Sequence, residues 1–246
     1  MGGSFEAVIF DLWGTLVPYP PMEMRKVADG MAEIVGAPQD DFAAAWGAAF
    51  APRATGYPLD QSLREICRAL AVDATAGAIA AALAFRFESH RQLFRPRADA
   101  SAALERLAAR GLMLGLITDC TADVPGLWAA SPLAPLVDAT VFSAVEGMQK
   151  PNRRMYELAC ARLGVLAEQC LYIGDGNSDE LNGAVSAGMR AVQLRPGDTD
   201  APLWDGAWIG SLSDTVGLVD AAAGSGGATG IPTTLTDDAG ARRSNC

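Results

Sequence analysis

Several polar side chains in this sequence stand where an apolar run ends. Ala7, Val8, Ile9 and Phe10 read as a short buried strand that delivers Asp11 to its C-terminal end, and Gly14 then turns the chain. Leu114, Gly115, Leu116 and Ile117 end at Thr118. Cys170 to Ile173 end at Gly174 and Asp175, with Asp179 four residues further on. Asp175 leaves a strand and Asp179 falls in the first turn of a following helix, so both carboxylates can reach one point. An acid at a helix N-terminus is also favourable in itself. Hard carboxylate oxygens near a phosphate suit Mg²⁺, which keeps several waters. Lys150 follows a further short apolar run, and Pro151 pushes it towards an extended conformation. Its ammonium is a compact charge that can neutralise a carboxylate or a developing anion. Asn177 and Ser178 supply capping or ligand-facing groups. Asp119 caps the turn after Thr118 or approaches the same place.

Four of these sites, in order, resemble the haloacid-dehalogenase-like (HAD) hydrolase superfamily over roughly residues 5–220. They are Asp11 with Gly14 and Thr15, then Thr118, then Lys150, then Gly174-Asp175-Gly176-Asn177-Ser178-Asp179. The resemblance implies an α/β fold, a Rossmann-like doubly wound parallel sheet with an inserted all-helical cap domain. It implies Asp11 as a nucleophile that forms a covalent aspartyl intermediate. Thr118 would donate its hydroxyl to a transferring phosphoryl oxygen, and Lys150 would neutralise charge. Mg²⁺ would be bound by Asp11, the backbone carbonyl of Trp13 and Asp175, with Asp179 holding a water or Lys150. The implied reaction is Mg²⁺-dependent hydrolysis of a small phosphorylated, or otherwise anionic, metabolite.

Trp13 departs from the pattern. Phosphatases of the superfamily carry a second Asp there, which protonates the leaving oxygen and later activates water. Such general acid–base help contributes about 10²–10⁴-fold. The indole N–H donates a hydrogen bond but does not titrate usefully. Dehalogenating members carry Tyr at this place and use no metal, yet their fourth motif is of Ser-Ser-Asn type, unlike Asp175-Gly176-Asn177. A carbon–halogen hydrolase is therefore the alternative. A third reading is a catalytically weakened protein that binds a metabolite or partner.

The elements that must position these residues follow from periodicity. Residues 24–35, 40–50, 59–71 and 74–93 read as helices separated by Gly and Pro, with no strand between them. From residue 95 onward the pattern alternates. Helices are expected over 98–110, 152–163 and 178–187, and strands over 112–117, 140–142, 170–173 and 191–194. Short apolar strands alternating with helices imply a parallel sheet covered on both faces. The organisation expected is a core of residues 1–17 and 96–223, a helical cap over 18–95, and a flexible tail over 224–246, where composition leaves little to bury.

Composition excludes several classes. The chain has 246 residues, 50% of them hydrophobic, enough for one sizeable core with a small second domain. The net charge of −10 argues against a nucleic-acid partner. No apolar run reaches the roughly 18 residues of a membrane span, and no signal peptide is evident. The five cysteines form no C-x-x-C pair, a reduced, cytoplasmic pattern. No signal specifies an oligomeric state. His90 is the only histidine and reads as a surface or partly packed helical residue. Arg25, Arg53, Arg86 and Arg91 in the helical block are candidate contacts for a substrate anion, though each reads first as a solvated helix charge. Cys120 reads as a small buried residue beside the site.

Overall fold

The structure is a computed structural model that describes residues 4–197 and 202–224. Strand β1 (Ala7–Phe10) comes first, followed by five helices, α1 (Pro21–Val35), α2 (Gln39–Ala48), α3 (Phe50–Ala54), α4 (Leu59–Ala69) and α5 (Ala76–Leu93). Then the chain alternates through α6 (Ala100–Ala108), β2 (Met113–Thr118), α7 (Val124–Ala129), β3 (Ala139–Phe142) and α8 (Ser143–Glu146). It continues with α9 (Arg153–Leu163), β4 (Cys170–Gly174), α10 (Glu180–Ala187), β5 (Arg190–Leu194), β6 (Trp208–Ile209) and α11 (Asp214–Gly224).

The six strands form one parallel sheet in the order β3-β2-β1-β4-β5-β6. β1 lies at its centre, with Ala7 opposite both Met113 and Cys170. All four of its residues are fully buried, as expected of a strand covered on both faces. Val8, Phe10, Leu116 and Ile173 pack with Leu104 and Leu107 of α6 and Val216 of α11 on one face. Ala7, Ile9, Ile117 and Tyr172 pack with Met155 and Tyr156 of α9 and Leu181 of α10 on the other. This alternation is the period-two consequence of the pleat. The doubly wound α/β class expected from the sequence is therefore observed.

The helices between β1 and β2 have a core of their own, built on Val27, Met31, Phe42, Leu63 and Ile79. They number five rather than four. Pro52 sits at the third position of the short α3, where its missing N–H is no loss. Likewise Pro21, expected in a linker, opens α1 at N1 with its φ already suited to a helix. The short elements α7, α8 and β6, and α11, were not anticipated. Of the tail expected over 224–246, Gly224 closes α11 and the remainder lies outside the described residues. No helix among the described residues is long and apolar enough to cross a membrane.

Candidate active site

Phe10 of β1 lies opposite Ile173 of β4, so the carboxylates just beyond them, Asp11 and Asp175, emerge side by side. This is the point where the order of connections reverses, the usual ligand crevice of such a sheet. Gly14 makes the proximity possible: its φ is +86°, and a Cβ there would fall on the Asp175 carboxylate. Lys150, brought in by the turn between α8 and α9, points its Nζ at Asp11 Oδ1, 2.6 Å away. The same ammonium is ion-paired with Glu180 and lies 3.5 Å from the Tyr172 hydroxyl. Tyr172 donates to Glu180 Oε2 at 2.7 Å, and the Gly176 N–H donates to Oε1 at 3.0 Å. Asp11, Lys150, Asp175 and Glu180 are all buried.

The charges do not balance. Asp11, Asp119, Asp175 and Glu180 crowd round a single ammonium. Burial raises the Asp11 carboxyl well above its ordinary value; Glu180 and Asp175 add to this and Lys150 opposes it. Burial, then Glu180, raises Asp175 to about 6. Burial alone would lower Lys150, but Asp11, Glu180 and Asp119 outweigh it and hold the ammonium well above its ordinary value. Oxygens of Asp11, Asp175 and Glu180 lie within 4.8 Å of one another. Those of Glu180 are engaged by Lys150, Tyr172 and Gly176, whereas Asp11 Oδ2 is buried with no partner. An orphaned carboxylate oxygen beside a second carboxylate, in an excess of negative charge, fits a hard divalent cation. Asp11 offers the free oxygen, and Asp175, whose oxygens are held only by the exposed Asn177 among the described residues, is the second residue able to hold one.

Asp179 is not where the sequence reading put it. It is exposed and accepts a hydrogen bond from the Asn182 side chain at 2.6 Å. The partner of Lys150 is its neighbour Glu180. The expected helix over 178–187 starts only at Glu180, because Ser178 and Asp179 both have left-handed φ, 57° and 52°. A tight single-turn 3₁₀ segment, Asn177–Asp179, takes the place of the first turn. The turn-forming composition Gly176-Asn177-Ser178-Asp179 was the available signal.

Thr118 closes β2 fully buried, and its hydroxyl donates to the Asp119 carbonyl at 3.4 Å. It does not line the cavity described below, whose wall there is Asp119, Cys120 and Thr121, so the hydroxyl expected to reach a phosphoryl oxygen is not exposed to it. Asp119 turns towards the site: its Oδ1 accepts the Lys150 N–H at 2.9 Å, and Oδ2 has no partner. Asn177 is exposed and holds both oxygens of Asp175, through its N–H at 2.8 Å and its side-chain amide at 2.7 Å. Trp13 is half-buried and meets three rings edge-on, Phe94 at 5.3 Å, His90 at 6.2 Å and Tyr19 at 6.5 Å between centroids.

Above these residues lies a cavity of about 560 Å³, floored by Asp11, Lys150 and Asp175 and walled by Trp13, His90 and the helical insert. His90 is thus the partly packed one of the two alternatives read from the sequence. Burial, then Arg86, lowers its pKa to about 4. Arg53 and Arg86, read from sequence as solvated, are almost fully buried and line the cavity. Arg25 also lines it but is largely exposed and paired with Asp29 and Asp40. Arg91 is exposed and bound to Glu88.

Comparison with known proteins is consistent across sequence and fold. Residues 5–188 match the family of haloacid dehalogenase-like hydrolases. A phosphatase from Mycobacterium tuberculosis is 29% identical over 224 residues, 87% of this chain and 99% of that protein. A phosphoserine phosphatase from Thermus thermophilus is 32% identical over 124 residues, 48% of this chain and 50% of that protein. Among solved structures, a 2-haloacid dehalogenase from Pseudomonas syringae pv. Tomato superposes with a TM-score of 0.68. It is 24% identical, over 88% of this chain and 98% of that one, a likeness of fold.

Proposed function

The chain belongs to the haloacid dehalogenase-like hydrolases, and from that premise we propose that it is a Mg²⁺-dependent phosphatase acting on a small phosphorylated metabolite in the cytoplasm. The observation that carries this reading is Asp11: one oxygen held by Lys150, the other unpartnered, beside Asp175 at the floor of the cavity. The similarity to phosphatases supports the substrate class. The free thiols of Cys67, Cys120, Cys160 and Cys170 suit a reducing compartment.

In this reading Asp11 attacks phosphorus, the bond from phosphorus to the ester oxygen breaks, and an aspartyl-phosphate forms. The departing alkoxide takes its proton from water. A second water then attacks phosphorus, releasing phosphate and restoring the carboxylate. Asp11, Asp175 and the Trp13 carbonyl would hold Mg²⁺, which would supply neutralisation of the phosphoryl oxygens. Lys150 orients Asp11 and faces the transferred group with a fixed positive charge. Glu180 and Tyr172 hold Lys150 in place. Thr118 and Asp119 support that end of the pocket, and Asn177 fixes Asp175. Asp179 plays no part. The insert, residues 18–95, acts as the cap over the core of residues 1–17 and 96–223, excluding water and selecting substrate.

Trp13 sets the rate. No carboxylate two residues beyond Asp11 is present to protonate the leaving group or to activate water, so both halves are slow and good leaving groups are favoured. The aromatic cluster round Trp13 also favours a second reading, displacement of halide from carbon by Asp11; Asp175 speaks against it, as a second carboxylate suits metal. Assays of phosphate esters and 2-haloacids, with and without Mg²⁺, decide between them. Mg²⁺-dependent release of phosphate, with haloacids untouched, is the expected result. The reverse pattern would replace the proposal, and tight metabolite binding without turnover of either would mark a binding protein.

A further inference from the structure

The roof of the cavity carries a positive charge that the protein itself does not neutralise. Arg53 on α3 is 2% exposed and Arg86 on α5 is 4% exposed. Both flank the Trp46 ring, the Arg53 guanidinium at 3.7 Å from its centroid and that of Arg86 at 5.7 Å. One carboxylate serves the pair. Asp123 is ion-paired with Arg86, whose other amino group donates to Thr121 at 2.9 Å. Arg53 donates to the Trp46 carbonyl at 2.6 Å and to the Ser62 hydroxyl at 3.3 Å. Among the described residues it has no carboxylate within ion-pairing distance. The Nε atoms of both arginines are buried without a partner. Burial, with Arg86 adding, lowers Arg53 to about 10, so it stays charged at neutral pH. His90, held low, contributes no charge there.

A buried cation without a counter-ion is costly, and unpaired buried donors add to that cost. Both burdens are lifted by an anion in the cavity. The floor already accounts for one anion, the phosphoryl group at Asp11 and Lys150. The cavity is also lined by the apolar side chains of Met24, Val27, Ala28 and Phe50. Its volume of about 560 Å³ is in the range of sites for whole organic ligands rather than bare phosphate.

We propose that Arg53, with Arg86 beside it, binds a second anionic group of the substrate, a carboxylate or similar oxyanion joined to the phosphoryl group through an apolar stretch. This rests on the phosphatase reading for the position of the first group. Arg53 therefore sets specificity, and a phosphate ester with a neutral tail leaves its charge unmatched.

The test is calorimetric, with Mg²⁺ present, on alkylphosphonates and ω-carboxyalkylphosphonates of two to six carbons, which cannot be hydrolysed. At one chain length the carboxylated member binds tighter than its alkyl counterpart by about tenfold or more, the worth of a charge-assisted hydrogen bond. Arg53→Gln keeps a polar side chain but removes the charge, and it erases the preference. Arg53→Lys, which keeps a charge, retains part of it. No preference at any length in the wild type overturns the proposal, as does a preference that survives in Arg53→Gln. Hydrolysis of the matching esters is followed in parallel. Ester turnover without a carboxylate preference overturns the Arg53 site alone; carboxylate-dependent phosphonate binding without ester turnover overturns the phosphatase reading alone.

Discussion

Gly14 and Asp175 occupy adjoining space so tightly that a methyl group on the first would overlap the carboxylate of the second. Gly14 also has φ +86°, a region that costs other residues roughly 1–2 kcal/mol. Gly14→Ala is expected to displace Asp175, to lower turnover by tenfold or more, and to weaken Mg²⁺ binding in calorimetry. Unchanged metal affinity in a folded Gly14→Ala protein would mean that Asp175 is not a ligand.

Trp13 makes a different prediction. With an activated aryl phosphate, slow breakdown of the intermediate leaves phosphate on Asp11, to be caught by borohydride and located by mass spectrometry. Trp13→Asp restores the missing carboxylate and is expected to raise steady-state turnover, while loss of the contacts to Tyr19, His90 and Phe94 lowers the melting temperature. Absence of any adduct on Asp11 would remove it as nucleophile.

Glu180 and Asp179 are neighbours with opposite expectations. Glu180 is a fully buried partner of Lys150, so Glu180→Ala deprives the Lys150 ammonium, the Tyr172 hydroxyl and the Gly176 N–H of the acceptor they share. It should cost about 3 kcal/mol or more in stability and lower turnover roughly 10–100-fold. Asp179→Asn touches only an exposed contact with Asn182 and should change stability by no more than about 0.5 kcal/mol. Denaturant titration and kinetics on the two variants check this; equal effects would restore Asp179 to the site.

Metal should appear as stability. Mg²⁺ at a hundredfold its Kd adds about 2.7 kcal/mol to a protein that binds it only when folded. The thermal midpoint should therefore rise with Mg²⁺, and this rise should vanish in Asp175→Asn or on adding a chelator. Burial raises Asp175 to about 6, so protons compete with metal below that pH. The rise should be smaller at pH 5 than at pH 7.5. A pH-independent rise would place the ion elsewhere.

His90 sets a pH limit on stability. Burial, then Arg86, lowers its pKa to about 4, below the ordinary value near 6.5. Between these values the unfolded chain binds a proton that the folded one does not. The contribution is present above pH 6.5 and is lost as pH falls towards 4, on the order of 3 kcal/mol in all. Asp175, raised to about 6, works in the opposite direction. The quantity to measure is thus the difference in unfolding free energy between wild type and His90→Gln across pH 4–7. A flat difference would place His90 in water.

Much of the floor of the site was legible because it hangs from strand ends. Apolar runs closing at Asp11 and Asp175 are read directly, and the parallel register of β1 with β4 then brings the two acids together. Lys150 was read from its motif. The insert was legible as helical, but not as a wall, since helical periodicity cannot tell that Arg53 and Arg86 turn inward over Trp46. Glu180 was missed by one residue because a helix was assumed to begin where the turn residues stand; two left-handed residues delay it. Trp13 was visible as an anomaly, but its edge-on contact with His90 joins residues far apart in sequence and depends on how the insert folds back.

The placement of β1 has a consequence for how the chain comes to be folded. This strand precedes the other five in the chain and sits in the middle of the sheet, yet its two neighbours, β2 and β4, follow roughly 100 and 160 residues later. Joining such distant partners means closing large loops, which slows assembly. The helical insert, with its own core, can organise before either neighbour is made and so shortens the free loop between β1 and β2. The same segment that roofs the site thus acts earlier as a folding spacer, drawing β2 towards the strand that carries Asp11.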